Sequence, residues 1–460
     1  MRVLRQDSSK NGAVFVLLSF EGPDRYSLAG GLGVRVTELS QTLAALGFPT
    51  HLFFVGDPRE KDTETLLDGK LTLHRWCQWI SKYYPDGVYQ GEDEKLYDFS
   101  ESLPWHILEQ IVRPAAAKDQ AVIILGEEWH TVEAMCRLSD ALYFNGLRDV
   151  ALMLWNANNT MSFHRINWGR LGYTSTITTV SRYMKHIMWG LGLNPLVVPN
   201  GIPARLLDEV DQDAVARLRN LAGGRLSLFK IGRFDPDKRW NMAVEAVARL
   251  KTMGHNCLLT TRGGIEPHGG EVMHNARSMG LVVKDVRVEV DGRDGVFAAL
   301  EAAMPADVLN LRFFVPPWLL RAFYQAADGV LANSGHEPFG LVGLEAMAAG
   351  GIAFTGSTGE DYAIPLDNAV VLETADPAEI ADYLVFLRAR PAVADGIREE
   401  GRRTAWHFRW EEVIENLMSK LSYLSQRQGL NWRPDFPPTE MGPQVETGVE
   451  RQRERAVLGE

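Results

Sequence analysis

Only three cysteines occur in the 460 residues, at positions 77, 136 and 257, far apart and odd in number. A disulfide framework is thereby excluded, and the pattern fits a reducing compartment. Metal-ligand spacings are missing as well, so no resident metal is expected. Positive charge is in short supply: 48 Lys and Arg stand against 59 Asp and Glu, a net charge of -11. That balance argues against nucleic acid as a partner, because a phosphate backbone calls for a basic surface. A small phosphorylated ligand is not excluded, since it needs only a few local cations. No apolar run is long enough to span a bilayer. The run AVFVLLS at 13–19 is too short, is followed by no cleavage site, and reads as a first buried strand. No strongly basic amphipathic helix supports membrane association, and the expected location is cytoplasmic.

What is present is a repeated alternation of short apolar runs with amphipathic segments, the pattern of βα units on a parallel sheet. Strands are expected at 13–19, 50–56, 121–126, 151–156, 175–181 and 195–200. The pattern restarts after residue 201, with strands expected at 226–232, 256–264, 286–292, 307–315, 329–334 and 351–357. The fold class is therefore α/β, with two Rossmann-like doubly wound parallel-sheet domains, 1–200 and 201–408, facing across a cleft. Segment 57–105 falls outside the alternation. It carries Trp76, Trp79, Tyr83, Tyr84, Tyr89 and Trp105 among many acids, and reads as an insertion that either meets a substrate or packs on the first domain. Residues 427–460, rich in Pro, Glu and Arg and without apolar periodicity, read as a disordered tail.

Ligands of doubly wound sheets sit beyond the carboxyl ends of the strands, so the residues after each strand carry the functional reading. The first strand leads into Gly30, Gly31 and Gly33, where bare amides precede a helix. A dinucleotide fingerprint would place its third glycine at 36, which is Val36, although Asp57 lies at a suitable distance for a ribose. A glycine turn serving only close helix packing stands as the other reading. In EEWHT, His130 follows a strand directly, placed to touch a substrate or else packed behind an acidic cap. In GRFDPDK, Arg233 and Lys238 flank a proline turn and suit a diphosphate clamp, or form an ordinary basic turn.

The stretch HEPFGLVGLEAMAAGG at 336–351 is the most informative. It is almost wholly apolar, yet holds Glu337 and Glu345. A helix starting near Gly340 would turn the amides of Phe339, Gly340 and Leu341 toward a phosphate, with Glu337 at its mouth. Glu345, inside the helix, suits a vicinal diol, the alternative being an ion pair with a distant Arg or Lys.

Together these residues resemble the retaining GT-B glycosyltransferases of family 4, related to glycogen and sucrose synthases. The resemblance rests on Glu337 to Glu345, GGLG, EEWHT, GRFDPDK and the stretch TVSRYMKHIMWGLGLNPLVVPNGIP. It implies transfer of a hexose from a UDP-, GDP- or ADP-sugar, as co-substrate, to an acceptor hydroxyl, with retention and without a cofactor or metal. Arg233 and Lys238 would hold the diphosphate, and Phe339, Gly340 and Leu341 would add amides. Glu337 would meet sugar hydroxyls, Glu345 the ribose, Gly31 the diphosphate and His130 the transferred sugar, with His130 and Glu337 as the catalytic pair. The first domain would take the acceptor, a saccharide or glycolipid precursor, and residues 409–426 would form a helix returning to it. Leu28 stands where glycogen synthases carry lysine, which argues against an ADP-glucose reaction. The alternatives are a GT-B phosphorylase or disaccharide synthase and, further off, an NAD-dependent oxidoreductase.

Overall fold

The computed structural model describes residues 12–290, 292–356, 359–430 and 432. They divide into two units. One takes the chain up to Gly201 together with the segment from Trp410, and the other runs Ile202–Arg409.

In the first unit, β1 (Ala13–Leu18), β2 (Thr50–Val55), β3 (Thr63–Leu66), β4 (Leu71–Trp76), β5 (Ala121–Glu127), β6 (Ala151–Ala157), β7 (Thr176–Thr179) and β8 (Leu196–Val197) form one sheet. Its order is β3-β4-β2-β1-β5-β6-β7-β8, and only β3 and β4 pair antiparallel. Every residue of β1, β5 and β6 is buried, as the unbroken apolar runs require of strands covered on both faces. Part of that cover is the helix Trp410–Gln428. Its Trp410, Ile414, Leu417 and Leu421 share one core with Phe15, Leu17, Leu39 and Ile123.

One expectation becomes specific here and one changes. The segment 57–105, expected either to meet a substrate or to pack on the first domain, supplies β3, β4 and most of the helix Glu92–Ile107. In β4, LTLHRW buries alternate residues, a period of two masked in sequence by His74, Arg75 and Trp76. The tail expected from 427 begins as core: Arg427 and Gln428 end the last helix, and Leu430 and Trp432 are buried in the first unit. The rest of 427–460 lies outside the described residues.

In the second unit, β9 (Leu226–Ile231), β10 (Cys257–Arg262), β11 (Val283–Val286), β12 (Val308–Leu311), β13 (Gly329–Ala332), β14 (Ala353–Thr355) and β15 (Val370–Val371) pair in parallel. The order is β11-β12-β10-β9-β13-β14-β15. The strand expected at 286–292 lies earlier, over Val283–Val286, and Val290 is exposed beyond it. As an edge strand with one neighbour, β11 takes its register from pairing with β12 and not from its own alternation.

Both sheets reverse their order at a central strand: β1 stands between β2 and β5, and β9 between β10 and β13. Loops leaving the two neighbouring strand ends diverge there and open a crevice. The segments after β1, β5, β9 and β13 carry the candidate residues. Among the described residues, no helix is long and apolar enough to cross a membrane.

Candidate active site

After β9, the sequence GRFDPDKRW is held at two aromatic points. Phe234 and Trp240 are buried with ring centroids 4.5 Å apart, and Trp240 Nε1 donates to the Arg233 carbonyl at 2.8 Å. Between them Pro236–Lys238 makes a single 3-10 turn, capped by Asp235, whose side chain accepts from the Asp237 amide at 3.0 Å. Arg233 is left exposed. Lys238 is half-buried, with Nζ 2.7 Å from Glu337 Oε1. A second link joins the same two loops: the Gly335 amide donates to the Asp237 carbonyl at 2.7 Å. The segments after β9 and β13 therefore lie side by side.

The chain then enters the helix Leu341–Ala348 through Gly340, whose φ of 81° favours glycine. Phe339 is buried near Tyr362 and Phe408, and the Tyr362 hydroxyl donates to the Gly340 carbonyl. No side chain caps the helix start, which leaves its first amides suited to an anion. Further in, Glu345 Oε2 accepts from the Tyr324 hydroxyl at 2.9 Å. The distant ion pair considered from the sequence is not formed, because among the described residues the partner is a phenol and not a cation. Burial raises the pKa of Glu345, the Tyr324 hydrogen bond opposes that rise, and nearby Glu337 adds to it.

Beneath this group lies Lys230, which sequence reading passed over although a lysine in the apolar run LSLFKIG was a visible signal. Its Nζ donates to Asn333 Oδ1 at 2.5 Å and to the Leu331 carbonyl at 3.3 Å, 5.1 Å from the Trp240 ring centroid. Burial, with Lys238 adding to it, brings its pKa down to about 7.

The first unit gathers a different set. The helix Gly31–Ala45 begins at the glycine loop, but the amides of Gly30 and Gly33 are already taken. Both donate to Glu21 Oε2, at 2.9 and 3.0 Å. The fit at Gly33 is close, since a Cβ there would lie 2.8 Å from Leu28 Cδ1 and 3.1 Å from Glu21 Oε2, and one or both would have to shift. Gly31 is exposed, and a Cβ on it would meet nothing within 4 Å. Asp57 is committed to Arg59, 2.7 Å away, so the acid that the dinucleotide reading assigned to a ribose has a partner in its own loop.

Beyond β5, His130 is 4% exposed and stacked between Phe20 (4.4 Å) and Trp129 (3.9 Å). Its Nε2 lies 2.7 Å from Glu92 Oε1, while Nδ1 is buried without a partner. Burial lowers the His130 pKa, Glu92 opposing, so the neutral imidazole is favoured. Glu92 and Tyr89 come from the segment that looked like an insertion, and the Tyr89 hydroxyl donates to Glu21 Oε1 at 2.5 Å. Sequence reading missed Tyr89 and Glu92 as neighbours of His130, and Glu21 as the partner of the glycine loop, because their separations in the chain carry no local signal.

Glu127 and Glu128, adjacent in EEWHT, meet opposite environments. Glu127 pairs with buried Arg35 at 3.1 Å and also accepts from Asn156 and Asn158. The carboxylate of Glu128, whose φ is 67°, accepts from the backbone amides of Asn158 (2.5 Å) and Asn159 (3.0 Å). Burial pushes its pKa up to about 8, and those amides pull against the rise. Between the ordinary carboxylate value and pH 8, the unfolded chain has lost this proton and the folded chain keeps it. Stability therefore falls as pH rises through that window, by at most about 1.4 kcal/mol per pH unit for one proton. Glu128→Gln should keep both amide contacts and remove that fall. Thermal melts at pH 5 and pH 8 check this: the variant's midpoint relative to the parent should rise toward pH 8.

Comparison with known proteins agrees with the architecture. Residues 216–404 match the family model for glycosyl transferases group 1. A D-inositol 3-phosphate glycosyltransferase of Geodermatophilus obscurus is 28% identical over 253 residues, covering 54% of this chain and 51% of that one. The chain thus spans about half the length of the curated relatives it matches. Among solved structures, the sucrose-phosphate synthase of Thermosynechococcus elongatus aligns with a TM-score of 0.63 at 19% identity, over 90% of this chain and 99% of that one. The catalytic domain of starch synthase IV from Arabidopsis thaliana, bound to ADP and acarbose, gives 0.61 at 18%, over 91% and 99%. The two parallel-sheet units have the fold of the GT-B glycosyltransferases, and the residues that match the group 1 model lie in the second.

Proposed function

We propose that the protein transfers a hexose from a nucleoside-diphosphate sugar to an acceptor hydroxyl, with retention and without a metal ion. The observation that carries this reading is the Lys238–Glu337 pair, 2.7 Å apart beside the uncapped start of the helix Leu341–Ala348. Diphosphate charge would be met there by Arg233, Lys238 and the amides of Phe339, Gly340 and Leu341, which is the work a divalent ion does elsewhere. Glu337, already oriented by Lys238, accepts hydroxyls of the sugar at the reaction centre. Glu345, with one oxygen on Tyr324, offers its carboxylate to the ribose diol. In the first unit, Gly31 has the open surroundings that an approaching diphosphate needs. His130, neutral and with one ring nitrogen unpartnered, is suited to hydrogen bonding with sugar hydroxyls. The acceptor, a saccharide or glycolipid precursor, is assigned to the first unit.

Thermal shift and calorimetry against UDP, GDP, ADP and their hexose conjugates test the reading. One donor should stabilise the chain, by roughly 2.7 kcal/mol at a hundred times its Kd. Glu345→Ala should weaken that donor about tenfold. Turnover should be unchanged by EDTA. Stabilisation by NAD with no response to any nucleoside diphosphate would overturn the proposal. Consumption of free phosphate in place of a nucleotide sugar would convert it to a phosphorylase.

A further inference from the structure

We propose that the second unit holds a site for a small phosphate ester at the amino ends of its central strands, with Arg219, Arg388 and Arg398 as the groups that hold the phosphate. The site does not depend on the glycosyl-transfer reading, because the candidate donor group follows the carboxyl ends of the same strands. At about 3.3 Å per residue, the six residues of β9 set the two ends about 17 Å apart.

Strands β9 and β13 start side by side, with Gly329 paired to Leu228. The helices Gln212–Ala222, Pro377–Arg388 and Pro391–Trp406 bring arginines to those starts. There a cavity of about 350 Å³ is lined by Arg219, Arg225, Arg388 and Arg398, against Asp328 and Asp395. A second cavity, of about 420 Å³, shares Gly224, Arg225 and Arg388 with the first. It adds His255 and Asn256 and, among the described residues, no carboxylate. Four guanidiniums against two carboxylates is a local excess of positive charge in a chain whose net charge is -11. Volumes of this size suit a small metabolite.

The four arginines differ in what they have left to give. Each guanidinium carries five N–H donors. Arg225 is spent on the carbonyls of Ala222 (2.8 Å), Ala306 (2.8 Å) and Leu221 (3.2 Å), and stays as a fixed charge in the wall. Arg219 donates from Nη2 to the Gln325 carbonyl at 3.3 Å, and among the described residues it pairs with no carboxylate. Arg388 donates from Nη2 to the Gly224 carbonyl at 2.8 Å. Its Nη1 stands 3.8 Å from Asp328 Oδ1, too far for a hydrogen bond. The other oxygen of Asp328 is held by the Ser227 amide (2.8 Å) and hydroxyl (3.1 Å).

Arg398 points most directly to a ligand. Its side chain is 24% exposed, and its ion-pair contact, with largely exposed Asp395, is 3.5 Å long. Its Nε is buried without a partner, and such a nitrogen calls for an explanation. Burial lowers the Arg398 pKa, Asp395 and Asp328 oppose the fall, and the charge of Arg219 adds to it. Two guanidiniums with spare donors thus repel each other beside one cavity. An anion between them removes that repulsion and supplies the missing acceptors. Phosphate suits the task, because the planar fork of arginine meets its oxygens two at a time. The adjoining cavity, with Leu226 and Val385 beside His255 and Asn256, leaves room for the organic part of an ester.

The test is calorimetry on the full chain with glycerol 3-phosphate, set against inorganic phosphate, glycerol and succinate at matched ionic strength. Glycerol 3-phosphate should bind at least as tightly as inorganic phosphate, and glycerol and succinate should give no binding. Arg398→Gln and Arg219→Gln should each weaken the ester about tenfold, while Lys238→Ala, in the candidate donor group, should leave it unchanged. Arg219 is exposed, so its variant reports on the site even where Arg398→Gln disturbs the fold. The proposal is overturned if the parent does not bind the ester, or if succinate binds as tightly. It is equally overturned if affinity falls in Lys238→Ala and holds in Arg219→Gln.

Discussion

Lys238→Ala and Glu337→Gln are each expected to lower transfer by about a hundredfold or more, a loss of roughly 3 kcal/mol of charge stabilisation. The two residues form a pair at 2.7 Å while each remains about a quarter exposed, so neither is needed to fill the core. The loops that carry them are fixed independently, by buried Phe234 and Trp240 on one side and by the Gly335–Asp237 hydrogen bond on the other. Melting temperatures should therefore stay close to the parent's while turnover collapses. The double variant should lose less than the sum of the single losses, because each residue orients the other. Near-normal turnover in both single variants, measured at saturating donor, would remove this pair from the reaction.

The largest effect on stability is expected from Arg35→Met. Arg35 and Glu127 have side chains 2% exposed, and the guanidinium also reaches Asn200 Oδ1 at 2.7 Å and the Pro199 carbonyl at 3.3 Å. It lies 5.7 Å from the centroid of the Trp410 ring. One side chain thus ties the glycine-loop helix to the end of β5, to residues 199–200 and to the C-terminal helix. Removing it leaves Glu127 buried with only Asn156 and Asn158, and breaking such a pair costs about 3–5 kcal/mol. Denaturant unfolding should show the first transition shifting by that amount. Adding Glu127→Gln to Arg35→Met should recover part of the loss, since the unpaired charge disappears with it. A shift below about 1 kcal/mol would mean that the pair is no more than a surface-grade contact.

Local chemistry fixed a good deal in advance. The apolar runs that became β1, β5 and β6 were legible because strands covered on both faces are apolar along most of their length. The turn at Asp235-Pro236, the glycine entry to the helix at Gly340 and the two acids before and within an apolar helix were legible because each breaks a local rule. What proved illegible lacked either a period or proximity. In β4, polar and aromatic residues hid the alternation, and β11 took its register from a neighbour. Leu430 and Trp432 carried no pattern, yet they fill the core.

The division is clearest between the two units. In the second, sequence alone named the residues of the candidate donor group, because they sit within a few positions of two strand ends, and the parallel order of β9 and β13 brings those ends together. Its buried supports, Lys230 and Tyr324, are another matter. What they touch depends on strands and helices about a hundred and about twenty positions away. In the first unit, the sequence offered a glycine loop and a histidine, 99 positions apart. Only the folded chain shows that Glu21 occupies that loop and that Tyr89 and Glu92 close over His130. Hydrogen bonds and charge act over a few ångströms whatever the distance along the chain, so composition and spacing set the materials while the tertiary structure decided which of them meet.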